Sequence, residues 1–210
     1  MSDYTFPFST CERPQKKGLA QPYSVLFNII ICTIVIYFLF QTKNKYSFFL
    51  LFSILLFELF HTFSHSIHLN STIQTNMTHL LAYLVNFAYF ITLYNYSHHF
   101  PGYIFLMYLG AVILFDLYAF NKLSFMYYLS TQFLIFFSLF IYYYRFFPKH
   151  MKSRIPLIFG LVFFVLLLFL NENMNCENML KSFPNFPFHI LIEMSAVVIA
   201  YNICKVFYLL

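Results

Sequence analysis

The chain predicts an all-α membrane protein folded as a seven-transmembrane helix bundle, and three observations carry that fold class. Hydrophobic residues make up 61% of its 210 residues and charged residues only 9%, against about 25% charged in a soluble domain. Mean hydropathy is +0.71. The apolar residues also fall into runs near the roughly 20 residues that a helix needs to cross a bilayer.

Taken in order, residues 1–21 form a polar N-terminal arm carrying Arg13, Lys16 and Lys17. No cleavable signal peptide is visible, because the first apolar run is long enough to span. The transmembrane domain, 22–210, holds runs at about 22–41, 46–68, 78–98, 102–120, 123–145, 155–171 and 186–208. Turn-forming and polar residues separate them at Gln41–Lys45, Asn70–Thr78, His98–Gly102, Asn121-Lys122, Phe147–Arg154 and Asn171–Pro187. The shortest break, Asn121-Lys122, makes the boundary between the fourth and fifth runs the least defined. No internal repeat or low-complexity linker interrupts this single domain.

Seven spans put the termini on opposite sides. The C-terminal side collects Lys43, Lys45, Arg145, Lys149, Lys152, Arg154 and Lys205, against Arg13, Lys16, Lys17, Lys122 and Lys181 on the other, seven cations to five. The excess places the C-terminus in the cytosol and the N-terminus outside or in a lumen. The basic loop 145–154 then meets anionic cytosolic headgroups. The net charge of +5 is spread too thinly to suggest a nucleic-acid surface. The abundant Phe and Tyr are expected at lipid and interfacial positions.

Alternation of the spans brings several polar residues to one leaflet: Gln21 and Asn28 at the start of span 1, His68 at the end of span 2, His79 in span 3 and His189 in span 7. Glu58, Asp116 and Glu193 also lie within spans. Ionisable groups at bilayer depth are costly and by default mark a site. Ser64 and His68 are spaced i, i+4, as are His189 and Glu193, so each pair projects from one face of its helix. At ~100° per residue, Glu58, His61, His65 and His68 also share a stripe that lipid cannot satisfy.

Two chemistries fit these residues. His68, His189 and Glu193 would supply two imidazoles and a carboxylate, a set suited to catalytic zinc with its fourth position open. Zinc so held lowers the pKa of water to about 7, and Ser64 is placed to donate to a developing oxyanion. Without metal, His189 and Glu193 form a buried hydrogen-bonded pair. His61 and His65 are read in either case as polar glue between helices.

At these residues the chain resembles the alkaline ceramidases, which belong to a superfamily with the adiponectin receptors and Per1-type membrane hydrolases. Cys11-Glu12 precedes Gln21-Pro22-Tyr23-Ser24-Val25-Leu26-Phe27-Asn28, similar to that family's Cys-Glu followed by Glu-x-x-Asn-Thr-x-Ser-Asn. Ser64-x3-His68 matches its span 2 motif. His189-x3-Glu193, with Tyr201 beyond it, is similar to its His-x3-His followed by Tyr. Cys176 falls on the cysteine that the family bridges to Cys-Glu. The likeness runs end to end, with thin identity.

The resemblance implies a lumen-facing zinc amidase that cleaves a ceramide-like membrane lipid to sphingoid base and fatty acid. It carries His68, His189 and Glu193 onto the zinc positions, Ser64 onto the conserved serine, and His79 onto the position of a helper aspartate, where His79 would move protons. It also implies a disulfide between Cys11 and Cys176, which an oxidising lumen permits. Cys32 and Cys204 fall within spans as packing residues. The family's calcium site does not carry over: only Glu12 remains of its acidic cluster, Gln21 stands where a Glu is expected, and Arg13, Lys16 and Lys17 crowd the region. No calcium dependence is expected.

Asn70-Ser71-Thr72 and Asn76-Met77-Thr78 are glycosylation sequons on the lumenal side, too close to the membrane for much occupancy. The expected function is therefore a zinc-dependent hydrolase of a lipid amide. A non-catalytic lipid- or metal-binding relative and a proton or metal-ion transporter using the span 2 stripe are the rival readings.

Overall fold

In the computed structural model, residues 11, 15, 17–67, 71–97, 102–122, 134, 137–138, 141–183, 186 and 188–210 are described. Seven helices are delimited among them: α1 (Pro22–Gln41), α2 (Lys45–Ser66), α3 (Ser71–Ser97), α4 (Gly102–Lys122), the single turn α5 (Lys149–Lys152), α6 (Ile155–Ser182) and α7 (His189–Phe207). The described residues from 134 to 144 are helical as well. No strand is present among the described residues. Five stretches are long and apolar enough to cross a membrane: Pro22–Gln41, Lys45–Ser66, Thr72–Tyr96, Lys149–Glu172 and His189–Phe207. The chain is a multi-pass, all-helical membrane protein.

Local chemistry sets the helix ends. Pro22 occupies the first turn of α1, where its missing N–H costs nothing. Thr42 closes the helix, its hydroxyl donating to the Phe38 carbonyl at 2.9 Å. Asn44 caps α2 by accepting from the Tyr46 N–H at 2.8 Å. With so short a link, α1 and α2 form an antiparallel hairpin. α1 packs between α2 and α7, α3 covers another side of α2, and α6 lies on α7.

Two helices exceed their expected bounds by more than two residues, while α4 runs on through the break expected at Asn121-Lys122. α3 begins at Ser71, so the break expected at Asn70–Thr78 is helical from Ser71 onward. Its early residues Gln74, Thr78 and His79 are buried. They face protein, and hydropathy, which measures suitability for lipid, does not register them. α6 continues past the apolar run to Ser182, through residues expected to form a loop. Nothing in Asn171–Ser182 is a Gly or Pro, and Asn175 donates to Asn171 one turn back at 2.7 Å. The helix therefore runs on until Phe183, just before Pro184. Most of span 5, expected at 123–145, lies outside the described residues.

The interior is divided by polarity. One buried apolar cluster joins Leu50, Leu93, Tyr143, Phe147, Met151, Ile155 and Phe207. A second joins Ile31, Val35, Phe38, Leu51, Leu55 and Cys204. Both gather toward the end where α1 stops and α2 starts. At that end Asn44 donates to the Leu210 carbonyl at 2.8 Å, and Arg154 donates to Asn202 Oδ1 at 2.9 Å. Phe40, 86% exposed, and Met107, 72% exposed, point outward as lipid-facing side chains do.

In a bilayer, truncating a core side chain forfeits packing contacts but little transfer free energy, since lipid is as apolar as Leu. Leu51→Ala is therefore expected to lower unfolding stability in detergent by roughly 1–3 kcal/mol, below the upper range of soluble cores. Phe40→Ala is expected to leave stability unchanged, and thermal unfolding of the two variants checks the contrast.

Candidate metal centre

The opposite end of the bundle is polar. Glu58, His61 and His65 share a face of α2, since steps of three and four residues return to one side of a helix. His189 and Glu193 share a face of α7 for the same reason. The two faces meet. His65 is fully buried, Glu193 is 2% exposed and His189 5%. His61 Nε2 lies 2.9 Å from His65 Nε2, and His65 Nε2 lies 3.7 Å from Glu193 Oε1. One ligand atom each from His61, His65 and Glu193 falls within 4.8 Å of the other two. Among the described residues this is the one group of three His, Cys, Asp or Glu side chains that converges in this way.

Further partners extend the group at both ends. Glu58 Oε2 is 3.5 Å from His61 Nδ1. His189 Nε2 is 3.2 Å from Glu193 Oε1, and His189 Nδ1 is 2.9 Å from Glu172 Oε2. Glu172 sits on the polar extension of α6, and its other oxygen accepts from the Cys11 backbone N–H. On the far side, Gln21 Oε1 lies 2.6 Å from His65 Nδ1. A carbonyl oxygen only accepts, so Nδ1 of His65 is the donor in this contact, and its Nε2 faces the trio.

The N-terminal arm holds both sides at once. Ala20 N–H donates to the Ser66 carbonyl at 3.1 Å and Gln21 N–H to the His65 carbonyl at 2.9 Å, laying the arm along the end of α2. A Cys11–Cys176 disulfide fastens the arm to α6 one turn beyond Glu172. Cys11, Ala20 and Gln21 are all buried.

The donor set, two imidazoles and a carboxylate, is of the kind that could hold a metal ion. Glu193 Oε1 is buried and makes no aligned hydrogen bond among the described residues, despite its short distance to His189. That oxygen is flanked by two imidazole nitrogens, His189 Nε2 at 3.2 Å and His65 Nε2 at 3.7 Å. The ligand atoms of His61 and His65 stand 2.9 Å apart, those of His65 and Glu193 3.7 Å apart, and all three lie within 4.8 Å of one another, against roughly 3.3 Å between two ligands of one tetrahedral zinc. The His61 side chain keeps 26% of its surface exposed, giving the group an approach from outside.

Of the ligands expected from sequence, Glu193 belongs to the trio. His189 bridges Glu193 and Glu172, and His68 lies outside the described residues. His65, expected in a helix–helix seam, is the α2 residue that reaches Glu193. Ser64 is buried, and its hydroxyl donates to the Phe60 carbonyl at 2.9 Å. His79 is buried on α3. Glu12 and the side chain of Asp116 lie outside the described residues. Gln21, expected in the same leaflet, is the residue that meets His65, whereas Glu172 was not anticipated as a member of the group. The available signal for Glu172 was its i, i+4 spacing to Cys176, which sets it on the face to which the arm is tied. Compared with protein-family models, with curated proteins and with solved structures, the chain matches none.

Digestion without reductant is expected to yield one linked peptide pair containing Cys11 and Cys176, absent from Cys176→Ser. Cys32 and Cys204, buried within spans, are expected to remain unlinked, and mass spectrometry reads both.

Proposed function

We propose that the chain is a seven-span, zinc-dependent hydrolase that cleaves a ceramide-like lipid amide to sphingoid base and fatty acid, as a divergent relative of the alkaline ceramidases. The observation that carries this reading is the convergence of His61, His65 and Glu193 on one buried point at the polar end of the bundle. In this reading His61, His65 and Glu193 hold the zinc. His65 takes the part first sought in His68, and His189 orients Glu193 from the neighbouring turn.

Bound zinc would supply a water-derived nucleophile at neutral pH. The chain's own residues do the rest. Gln21 holds His65 in the tautomer that presents Nε2. Glu172 and His189 form a hydrogen-bonded support behind Glu193. Ser64 is assigned to the developing oxyanion, for which it would release the Phe60 carbonyl, and His79 to proton movement.

The seven-span count is supported by the five stretches of spanning length together with α4 and the helical residues between 134 and 144. A lumenal or extracellular N-terminus is supported by the cation excess on the other side and by the disulfide, which belongs to an oxidising compartment.

A second reading, a proton or metal-ion transporter, is favoured by one observation. Glu58, His61, His65, Glu193, His189 and Glu172 form an unbroken series of contacts, none longer than 3.7 Å.

Elemental analysis of detergent-purified protein is expected to give near one zinc per chain. His65→Ala and Glu193→Ala are expected to abolish it, and His189→Ala to weaken zinc affinity about 10–100-fold. Fatty-acid release from ceramide should follow the same order. Zinc without release from any lipid amide would identify a binding relative. No zinc, with pH-driven ion flux in liposomes, would identify the transporter.

A further inference from the structure

The basic loop ahead of α6, expected to meet anionic headgroups, is in the structure a rigid shelf. Phe147, Met151 and Ile155 fasten it into the apolar core, none more than 4% exposed. Met151 N–H donates to the Pro148 carbonyl at 3.0 Å and Ser153 N–H to the Lys149 carbonyl at 3.1 Å, closing the turn α5. Lys149 and Lys152 are three residues apart in that turn and share a face directed away from Met151. Lys152 Nζ donates to the Arg145 carbonyl at 3.1 Å, which brings Arg145 beside the pair. The Arg145 guanidinium lies over the rings of Tyr142 and Phe146, at 4.9 Å and 4.6 Å. Arg154, bonded to Asn202, closes the foot of the shelf.

These four cations are far from any answering charge. The sequence has no Asp or Glu between Asp116 and Glu172. Along α6, Glu172 stands roughly 25 Å from the shelf at about 1.5 Å per residue, well beyond the ~8 Å over which charge acts in physiological salt. Among the described residues, none of the four is in an ion pair with a carboxylate.

We propose that this shelf binds a membrane lipid whose head carries phosphomonoester groups, of the phosphorylated-inositol class. Each phosphomonoester brings about −1.5 to −2 charge at neutral pH, so two of them answer four cations, whereas a serine head leaves most unanswered. Clusters of about four to eight Lys and Arg just outside a span suit such heads. The planar Arg145 can pair with phosphate through two bonds, and Lys149 and Lys152 add point charges. Tyr144, 42% exposed and lying under Lys152, is the kind of ring found at headgroup depth. It sets the shelf level with a lipid head. Because the core holds the turn, binding has little further ordering to impose. The assignment agrees with the cytosolic side expected from the cation excess. It is independent of the hydrolase reading and needs no turnover at the metal centre.

The test is anisotropy of a short-chain fluorescent phosphatidylinositol bisphosphate with the full chain in neutral detergent. Phosphatidylserine of the same chain length is compared, soluble inositol trisphosphate is the competitor, and Tm is recorded. Affinity for the bisphosphate is expected to exceed that for phosphatidylserine by roughly tenfold or more. Combining Lys149→Gln with Lys152→Gln is expected to weaken it roughly 25-fold, at about fivefold per cation, with Tm unchanged. Lys181→Gln, at the other end of α6, is expected to leave it unchanged. Lys149→Gln alone, at an exposed position, should cost about fivefold and carries the test if the pair lowers Tm. Equal affinity for the two lipids would overturn the site and leave the cations as determinants of topology alone. Displacement by inositol trisphosphate at concentrations matching the lipid would overturn the lipid assignment in favour of a soluble phosphate. Unchanged binding in Lys149→Gln would equally overturn the proposal.

Discussion

A carboxylate at bilayer depth has no solvent to lean on, and Glu193 sets the terms for everything around it. Lipid offers no donors, so the face of α7 that carries it must turn inward. Inward, only nitrogen-bearing side chains on neighbouring helices answer the charge. His189 comes from one turn away on the same helix, and His65 and His61 come from α2. Each imidazole introduces a second polar atom needing a partner, and the requirement propagates outward to Glu172, Glu58, Gln21 and the Cys11 backbone. The polar end of the bundle is the sum of these obligations, and the apolar clusters around Leu51 and Met151 occupy the end from which they are absent.

Five of the expected spans and the α7 pair were legible because both depend on one-dimensional properties. Run length identified α1 to within its observed bounds. A spacing of four residues puts His189 and Glu193 on one face without further information. Which histidines of α2 meet that face was not legible. Periodicity fixes direction around a helix but leaves depth along it open, and depth depends on where α2 ends and how the hairpin seats against α7. His65, read as polar glue between helices, does make contacts across them, to Gln21 and Glu193. The α6 extension was missed for a related reason: hydropathy reports contact with lipid, and a polar helix projecting beyond it has the composition of a loop. Gln21 was placed in the right leaflet without its partner, and Glu172 was missed because it lies in the polar extension of α6 that was expected to form a loop.

The candidate site is thus assembled from four separate parts of the chain. The arm contributes Gln21 and the Cys11 N–H, α2 two histidines and Glu58, α6 Glu172, and α7 His189 and Glu193. Its precision depends on the arm, which touches both flanks: Gln21 sets the orientation of His65, and Cys11 holds the carboxylate behind His189. The disulfide to Cys176 ties that strap to the same helix that carries Glu172. A supporting set of contacts of this kind fixes the orientation of the side chains it surrounds.

The wide separation of these parts along the chain has a consequence for biogenesis. His61 and His65 leave the ribosome more than a hundred residues ahead of Glu193, an interval on the order of ten seconds at ordinary rates of synthesis. During that time α2 resides in the membrane with its polar stripe lacking the partners from α6 and α7, and the arm has no Cys176 to join. The nascent protein must be sheltered by the insertion machinery until the last helix arrives, and a chain stopped short of α7 carries an exposed histidine stripe by which quality control can recognise it.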